Sequence, residues 1–401
     1  MLIRAAFVAS MTGPIVRRSA VRVVDTRIVE VGTDLLAHAQ EEVIDLPEHL
    51  LVPGLINAHV HLDLSSVPEP LPRTENFTRW LQQVIALRKN ISATQLADGI
   101  ARACAMLHSC GCTTIGDYVG DLQALAHVDT TGFSGRCFVE LIANSSPRAA
   151  QRLQEICAAF DTRSPHADFP HTITPHTPFT LDATTLHAQL AAHRAAPRGP
   201  LAIHCAESLE EWELFTTGRG PLADFLRALD FEDVTRATSP VASLARHGLF
   251  PQQSLLIHAN EISDDDVQII CGAHCTVVHC PQTHRYFART PFALEHLRTA
   301  GIPIALGTDS LASNPNLDLL AELRLMHENF PQLAPQDLLT MVTRTAAQAL
   351  AVPGITGTIA PGACANLSAF VLPNHCSDPL RTIIEAREAA WVLSRGRVVK
   401  K

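Results

Sequence analysis

Lysine is nearly missing from this chain of 401 residues. Of 31 basic side chains only Lys89, Lys400 and Lys401 are lysines, so the stretch from 90 to 399 has none. Basic runs are missing too, and no basic patch is interleaved with aromatics, which argues against a nucleic-acid polymer as partner. The net charge of −9 disfavours a polyphosphate ligand as well, while an uncharged nucleoside stays open. No stretch is long and apolar enough to span a membrane. The opening residues, MLIRAAFVASMTGPIVRRSA, lack an apolar core followed by a small-residue cleavage site, so no signal peptide is expected. CxxC spacing is absent, and Cys110 and Cys112 stand too close together for a metal knuckle. The 11 scattered cysteines read as reduced, mostly buried thiols of a cytoplasmic protein.

What is present points to a large globular core. Hydrophobic residues make up 47% of the chain and charged residues 18%, which argues against disorder. The length suits a barrel plus an accessory domain. Residues 2–8, 19–24, 27–31 and 42–45 are short apolar runs separated by turn signals and predict a β-meander. Residues 365–371 and 390–399 predict strands near the other end, so both ends are expected to pair into one small β-sandwich domain. Between them, eight strand-like runs (51–58, 113–117, 136–142, 171–176, 201–204, 254–258, 276–279 and 302–308) alternate with helical windows such as 78–89, 93–109, 148–160, 184–193 and 317–329. That is the arithmetic of an α/β (β/α)₈ TIM barrel. The expected division is 1–53 and 355–401 for the small domain and 54–354 for the barrel.

In such a barrel the active site lies at the C-terminal strand ends. The first strand ends in N-A-H-V-H-L-D, and His59 and His61, two apart on an extended backbone, face the same way and can share a metal ion. Among 20 histidines roughly one such pair arises by chance, so the motif needs company. It has company. Strand five ends at His204 with Glu207 three residues on, strand six at His258, strand seven at His279, and strand eight at Asp309. Ionisable groups repeatedly placed at the last position of an apolar run argue for one shared site. The nearby His166, His171 and His176 do not form a metal tract, because only His176 ends a strand.

P-G-L-I-N-A-H-V-H-L-D after a β-meander resembles the first-strand signature of the amidohydrolase superfamily. H-C-A-E-S and G-T-D-S-L-A-S-N resemble its nucleobase and nucleoside deaminase branch, along nearly the whole chain and in order. N-F-T-R-W-L, T-P-H-T-P-F-T and H-C-A-E-S-L-E-E-W-E-L are most similar to the aminofutalosine deaminases of menaquinone biosynthesis and, beside them, the methylthioadenosine/adenosylhomocysteine deaminases. The resemblance implies one divalent metal per chain, held by His59, His61, His204 and Asp309. Binuclear superfamily members bridge their metals with a lysine, usually from strand four, where this chain has His176. Nitrogen-rich ligation with one carboxylate suits zinc or ferrous iron, with zinc taken ahead of iron.

The resemblance also assigns roles. Asp309 both ligates and accepts a proton from the attacking water. Glu207 protonates a ring nitrogen and later the departing amine. His258 is similar to a residue that stabilises the attacking oxygen. Candidate substrate contacts are His176 after strand four, Glu140 at the end of strand three for a ribose hydroxyl, and His279, His284 and Arg285 in the strand-seven loop. In that loop the chain departs from its relatives, many of which carry Ser-Asn where Thr283 and His284 stand here. Arg148 and Arg285 are the expected partners for a substrate carboxylate. Phe77 and Trp80 read as core rather than as a base-stacking pair. Glu210, Glu211 and Glu213 read as a solvated helix face.

The expected function is hydrolytic deamination of a 6-amino purine nucleoside, with aminofutalosine as the best match. A base deaminase acting on guanine or cytosine and a triazine-type hydrolase are alternatives on the same fold, and an inactive scaffold is the alternative outside enzymology. The expected partner is a small-molecule substrate, with a homodimer as the assembly if the chain associates.

Overall fold

A computed structural model describes residues 1–401 except 68, 75, 128–131, 162–168, 196–198, 233 and 249–253. His166 therefore lies outside the described residues. The chain opens with β1 (Leu2–Val8), β2 (Val16–Val24), β3 (Arg27–Gly32) and β4 (Val43–Pro53). Eight strands follow: β5 (Leu55–Val60), β6 (Cys112–Val119), β7 (Ser134–Leu141), β8 (His171–Pro175), β9 (Ala202–Cys205), β10 (Leu255–His258), β11 (Thr276–His279) and β12 (Ile304–Leu306). It closes with β13 (Leu367–Val371), β14 (Trp391–Ser394) and β15 (Arg397–Lys400).

The two ends do pair. They form one hydrogen-bonded sheet of seven strands, in the order β15-β14-β13-β4-β1-β2-β3. The expected sandwich of two sheets is therefore a single continuous sheet in its hydrogen bonding. The cause is the length of β4: its register runs parallel to β1 from Val43 to Leu51, and antiparallel to β13 from His49 to Pro53. The sequence expectation of a short strand at 42–45 missed this, because the polar Glu48 and His49 interrupt the apolar pattern. The apolar run from Leu50 to Ile56 serves two sheets in turn, with Gly54 between them donating its N–H to the Asn366 carbonyl.

The middle eight strands form two parallel sheets of four, β5-β6-β7-β8 and β9-β10-β11-β12. Their strands are buried on both faces, as parallel strands flanked by helices must be. Hydrogen bonds cross both seams between the sheets. His204 donates its N–H to the His176 carbonyl at 3.0 Å, and Thr308 and Asp309 donate theirs to the His59 carbonyl, each at 3.0 Å. Asn57 ties the second seam: its amide donates to the Thr308 hydroxyl at 2.8 Å, and its carbonyl accepts from the backbone of His59 and Thr308. The approach there is close. A Cβ on Gly307 would stand 2.7 Å from the Cβ of His59, so the residue before Thr308 has to be glycine. Side chains from both sheets, among them Ile56, Tyr118, Phe138, Leu255, Val278 and Ala305, share one buried cluster.

Helices α1 (Phe77–Asn90), α2 (Ala93–Ser109), α3 (Ser146–Asp161), α4 (Ala183–Ala195), α5 (Leu209–Thr217) and α6 (Pro221–Ala228) fall between these strands. Their starts follow ordinary capping chemistry. Asn76 caps α1 through the Arg79 N–H, Ser92 and Gln95 form a capping box on α2, and the Ser208 hydroxyl accepts from the Glu211 N–H on α5. Among the described residues no helix is long and apolar enough to cross a membrane. Eight of the 11 cysteines are buried, as their pattern predicted.

Candidate metal and substrate site

The C-terminal strand ends converge. His59, the last but one residue of β5, is fully buried; its Nε2 lies 3.7 Å from Asp309 Oδ1, and His61 Nε2 lies 3.9 Å from the same oxygen. His204, in β9, brings its Nε2 to 3.3 Å from His61 Nε2. His59, His61 and Asp309 form one triplet of ligand atoms within 4.8 Å of each other, and His59, His204 and His258 form a second.

The outer faces of these rings fix their tautomers. His61 Nδ1–H donates to the Tyr118 carbonyl at 2.9 Å, and His204 Nδ1–H donates to the His176 carbonyl at 3.1 Å. Each Nε2 then carries a lone pair, and the two lone pairs face each other. That contact is repulsive unless a cation lies within reach of both, and backbone carbonyls orienting ligating imidazoles is a common arrangement around metals. Burial, the largest influence, lowers the pKa of all three imidazoles and keeps them neutral; neighbouring imidazoles push His59 and His61 further down, while Asp309 pulls His61 and His204 back up. His59 has no hydrogen-bond partner at either ring nitrogen despite its burial. Buried polar groups without partners are rare, so the donor set of three neutral imidazoles and one carboxylate fits a metal ion.

The backbone is strained here. Ala206, His258, Ala259 and Asp309 have φ of +55°, +74°, +47° and +57°, the left-handed region that L-residues seldom adopt. Such conformations gather at functional sites. Asp309 Oδ2 accepts from Ser313, whose hydroxyl pairs with Thr283 at 3.0 Å.

A cavity of about 350 Å³ opens onto this cluster. Its inner wall carries His61, Glu140, His176, His204, Glu207, His258 and Asp309. Glu207 is 9% exposed, and its Oε2 is 3.9 Å from His258 Nε2. Burial holds its carboxyl well above the usual glutamate range, Arg289 pulling against it. Glu140 is buried with neither oxygen hydrogen-bonded, and burial pushes it up to about 8, against the pull of Arg88. Phe77 and Trp80 are buried in an aromatic cluster, as expected, and one edge of that cluster also walls the cavity.

Four expected substrate contacts do not reach the cavity. Arg148 sits on the exposed face of α3, where its guanidinium pairs with Glu155 at 2.9 Å; a position just after a strand end does not determine which way a helix residue turns. Arg285 bonds the Gln282 side chain in its own short helix. His279 lies flat on Phe292, ring centroids 3.8 Å apart, and burial lowers its pKa well below the usual range. His284 is held on both sides, by Asn260 at 3.0 Å and by the Thr290 carbonyl at 2.7 Å.

The structure also brings in residues the sequence reading passed over. Arg88, on α1, lines the cavity and donates to Asp63 at 2.9 Å. Asp63 is the last letter of the H-V-H-L-D motif, which was the available signal. Glu211 is not a solvated-face residue. It is 1% exposed, its two oxygens accept the Ala206 and Glu207 N–H groups at 3.0 and 2.8 Å, and burial pushes it up to about 7. Its signal was the S-L-E-E spacing of a helix start.

A buried cluster of histidines and an aspartate at the ends of parallel strands defines the class of metal-dependent hydrolases. The chain belongs to the Amidohydrolase family, which it matches over residues 50–399, and it is an enzyme of that class. It is 28% identical over 369 residues to 5-methylthioadenosine/S-adenosylhomocysteine deaminase of Pyrococcus furiosus, covering 88% of this chain and 81% of the relative. It is 28% identical over 304 residues to aminodeoxyfutalosine deaminase of Deinococcus radiodurans, covering 72% of this chain and 70% of the relative. A crystal structure of an adenosine deaminase from Xanthomonas campestris with bound zinc superposes with a TM-score of 0.83 at 22% identity, covering 100% of this chain and 92% of that one, which shows a common fold.

Proposed function

We propose that the chain is a one-metal hydrolase that removes the 6-amino group of a purine nucleoside as ammonia. The observation that carries this reading is the pair of Nε2 lone pairs, on His61 and His204, directed at each other beside Asp309. His59, His61, His204 and Asp309 would hold a single divalent ion, zinc ahead of iron. Such an ion supplies a water acidic enough to attack at neutral pH. No lysine stands between 90 and 399 to bridge a second ion. The eight inner strands are taken as a closed (β/α)₈ barrel spanning 54–354, with 1–53 and 355–401 as the small domain, the hydrogen bonds across both seams supporting closure.

Glu207 supplies the proton chemistry. Burial raises its pKa well above the usual glutamate range and so favours the protonated carboxyl, the form that can donate to a purine ring nitrogen and make the adjacent carbon electrophilic. His258, beside it, is neutral and oriented to hydrogen-bond the oxygen added to that carbon. Asp309 takes one proton from the attacking water and passes it to the amine, which leaves as ammonia. The remaining hydroxyl proton of the adduct returns to Glu207 as the C–N bond breaks and the 6-oxo group forms. Glu140 and Arg88 offer an acceptor and a donor on one wall, which suits a ribose hydroxyl pair.

The names of the two sequence relatives support an adenine nucleoside with a 5′ extension. Aminofutalosine specifically would ask for a cation near its carboxylate, and Arg148 and Arg285 are paired elsewhere, so the reading rests at the nucleoside. The test is ammonia release from a panel of adenosine, 5′-methylthioadenosine, aminofutalosine, guanine and cytosine. The nucleosides should be the better substrates by kcat/KM; guanine or cytosine as the best would overturn the nucleoside reading.

A further inference from the structure

The outer half of the cavity differs in chemistry from the inner half. It is walled by Leu81 and Ile85 on α1 and by Phe225, Leu229 and Phe231 on and just after α6. Ile85 and Leu229 are 37% and 40% exposed, among the few large apolar side chains that face solvent, and both stand on this rim. Phe225 and Phe231 pack on the buried cluster of Phe179, Leu214 and Leu222, which gives the wall a firm backing. Exposed apolar side chains converging on a cavity mouth mark a place where something apolar binds.

Charge is arranged accordingly. Among the described residues lining the cavity, Arg88 is the one guanidinium or ammonium, and Asp63 already neutralises it at 2.9 Å. The same lining holds three carboxyl groups, Glu140, Glu207 and Asp309. A carboxylate on the outward end of a ligand would lose its water against Leu229 and Phe231, and among the described lining residues no guanidinium or ammonium other than the paired Arg88 stands to receive it, a costly exchange.

We infer that the rim between α1 and α6 is a specificity subsite for an uncharged, apolar 5′ substituent, a short thioether or alkyl group, and that it rejects a 5′ carboxylate. The inference rests on the deaminase reading only for orientation. With the reacting carbon at the histidine cluster and the ribose beside Glu140, the 5′ end is the part of a nucleoside left to point outward.

The test compares two nucleosides of matched length, 5′-deoxy-5′-(propylthio)adenosine and 5′-deoxy-5′-(2-carboxyethylthio)adenosine. The subsite predicts that the propylthio compound has the higher kcat/KM by on the order of 10²-fold, carried mostly by KM. Leu229→Arg should shrink that ratio by about 10-fold or more through a charge-assisted contact with the carboxylate. Ile85→Arg, on the opposite helix, repeats the test should the first variant fold poorly. Calorimetric binding of the two matching 6-oxo nucleosides reads the rim without turnover. The same order of affinity with no deamination of either substrate would sink the deaminase reading and leave the subsite standing. Equal or reversed order in binding, or a ratio unmoved in both arginine variants, would overturn the subsite.

Discussion

Two neighbouring strand ends read alike and do different things. β10 ends Leu-Leu-Ile-His and β11 ends Thr-Val-Val-His, and each histidine is almost wholly buried. His258 adopts φ of +74°, lines the cavity and stands 3.9 Å from Glu207. His279 lies flat against Phe292, away from the cavity lining. The lesson is that a terminal histidine on an apolar run marks the right end of the sheet, while the conformation of the next few residues decides whether its ring faces the site or packs beside it. Position along a strand is written in a two-residue period. A switch to the left-handed region is not.

The sharpest break between the two groups should be in metal retention. His59→Ala and Asp309→Asn should each lose the metal and lower turnover by ~10⁴-fold or more, because a ligand set reduced by one leaves the water unactivated. His279→Gln should keep the metal, as elemental analysis of the purified variants will report. The next effect concerns Glu207. Glu207→Gln should retain metal and bind substrate, with turnover down ~10²–10⁴-fold, the range of a lost general acid–base. A variant with near-normal turnover would reduce Glu207 to a helix-start residue.

A third prediction concerns Glu211, which is buried where Glu213, two residues on, is exposed. Its folded pKa is raised from the ordinary 4.5 to about 7, first by burial. For an acid shifted upward, the stability contribution is whole below about pH 4.5 and is lost as pH rises through about 7. Wild type should therefore lose stability relative to Glu211→Gln between those pH values, on the order of 3 kcal/mol in all. Denaturant midpoints of the wild type and of Glu211→Gln across about pH 4.5–8 measure the difference. The smallest effects belong to the two arginines. Arg148→Ala and Arg285→Ala should change kcat/KM on any adenine nucleoside by less than about twofold, since exposed ion pairs and distant contacts contribute little.

The parts legible in the sequence share a cause. Strand ends were readable because parallel strands buried on both faces produce unbroken apolar runs, and a histidine or aspartate closing such a run stands out. That pattern gave the order of β5 to β12 and brought His59, His61, His204 and Asp309 to one point. The rest depends on the direction of a side chain on a helix or turn. Arg148, two residues into α3, faces solvent, whereas Arg88, at the far end of α1, faces the cavity. Neither direction follows from spacing after a strand. Glu211 was hidden among three acidic residues, Glu210, Glu211 and Glu213, that read as solvated, because its burial comes from accepting the two N–H groups of a strained turn at Ala206. The continuous seven-stranded sheet was missed for a similar reason, since β4 carries Glu48 and His49 on a stretch that two neighbours share.

The central claim, a single ion at the four converging ligands, is tested most directly by titrating zinc into the apoprotein while following ammonia release from 5′-methylthioadenosine. Activity should rise linearly and level off at one equivalent of zinc per chain, with Asp309→Asn silent throughout. A plateau at two equivalents, or full activity before any zinc is added to a chelator-treated sample shown to be free of metal, would contradict it.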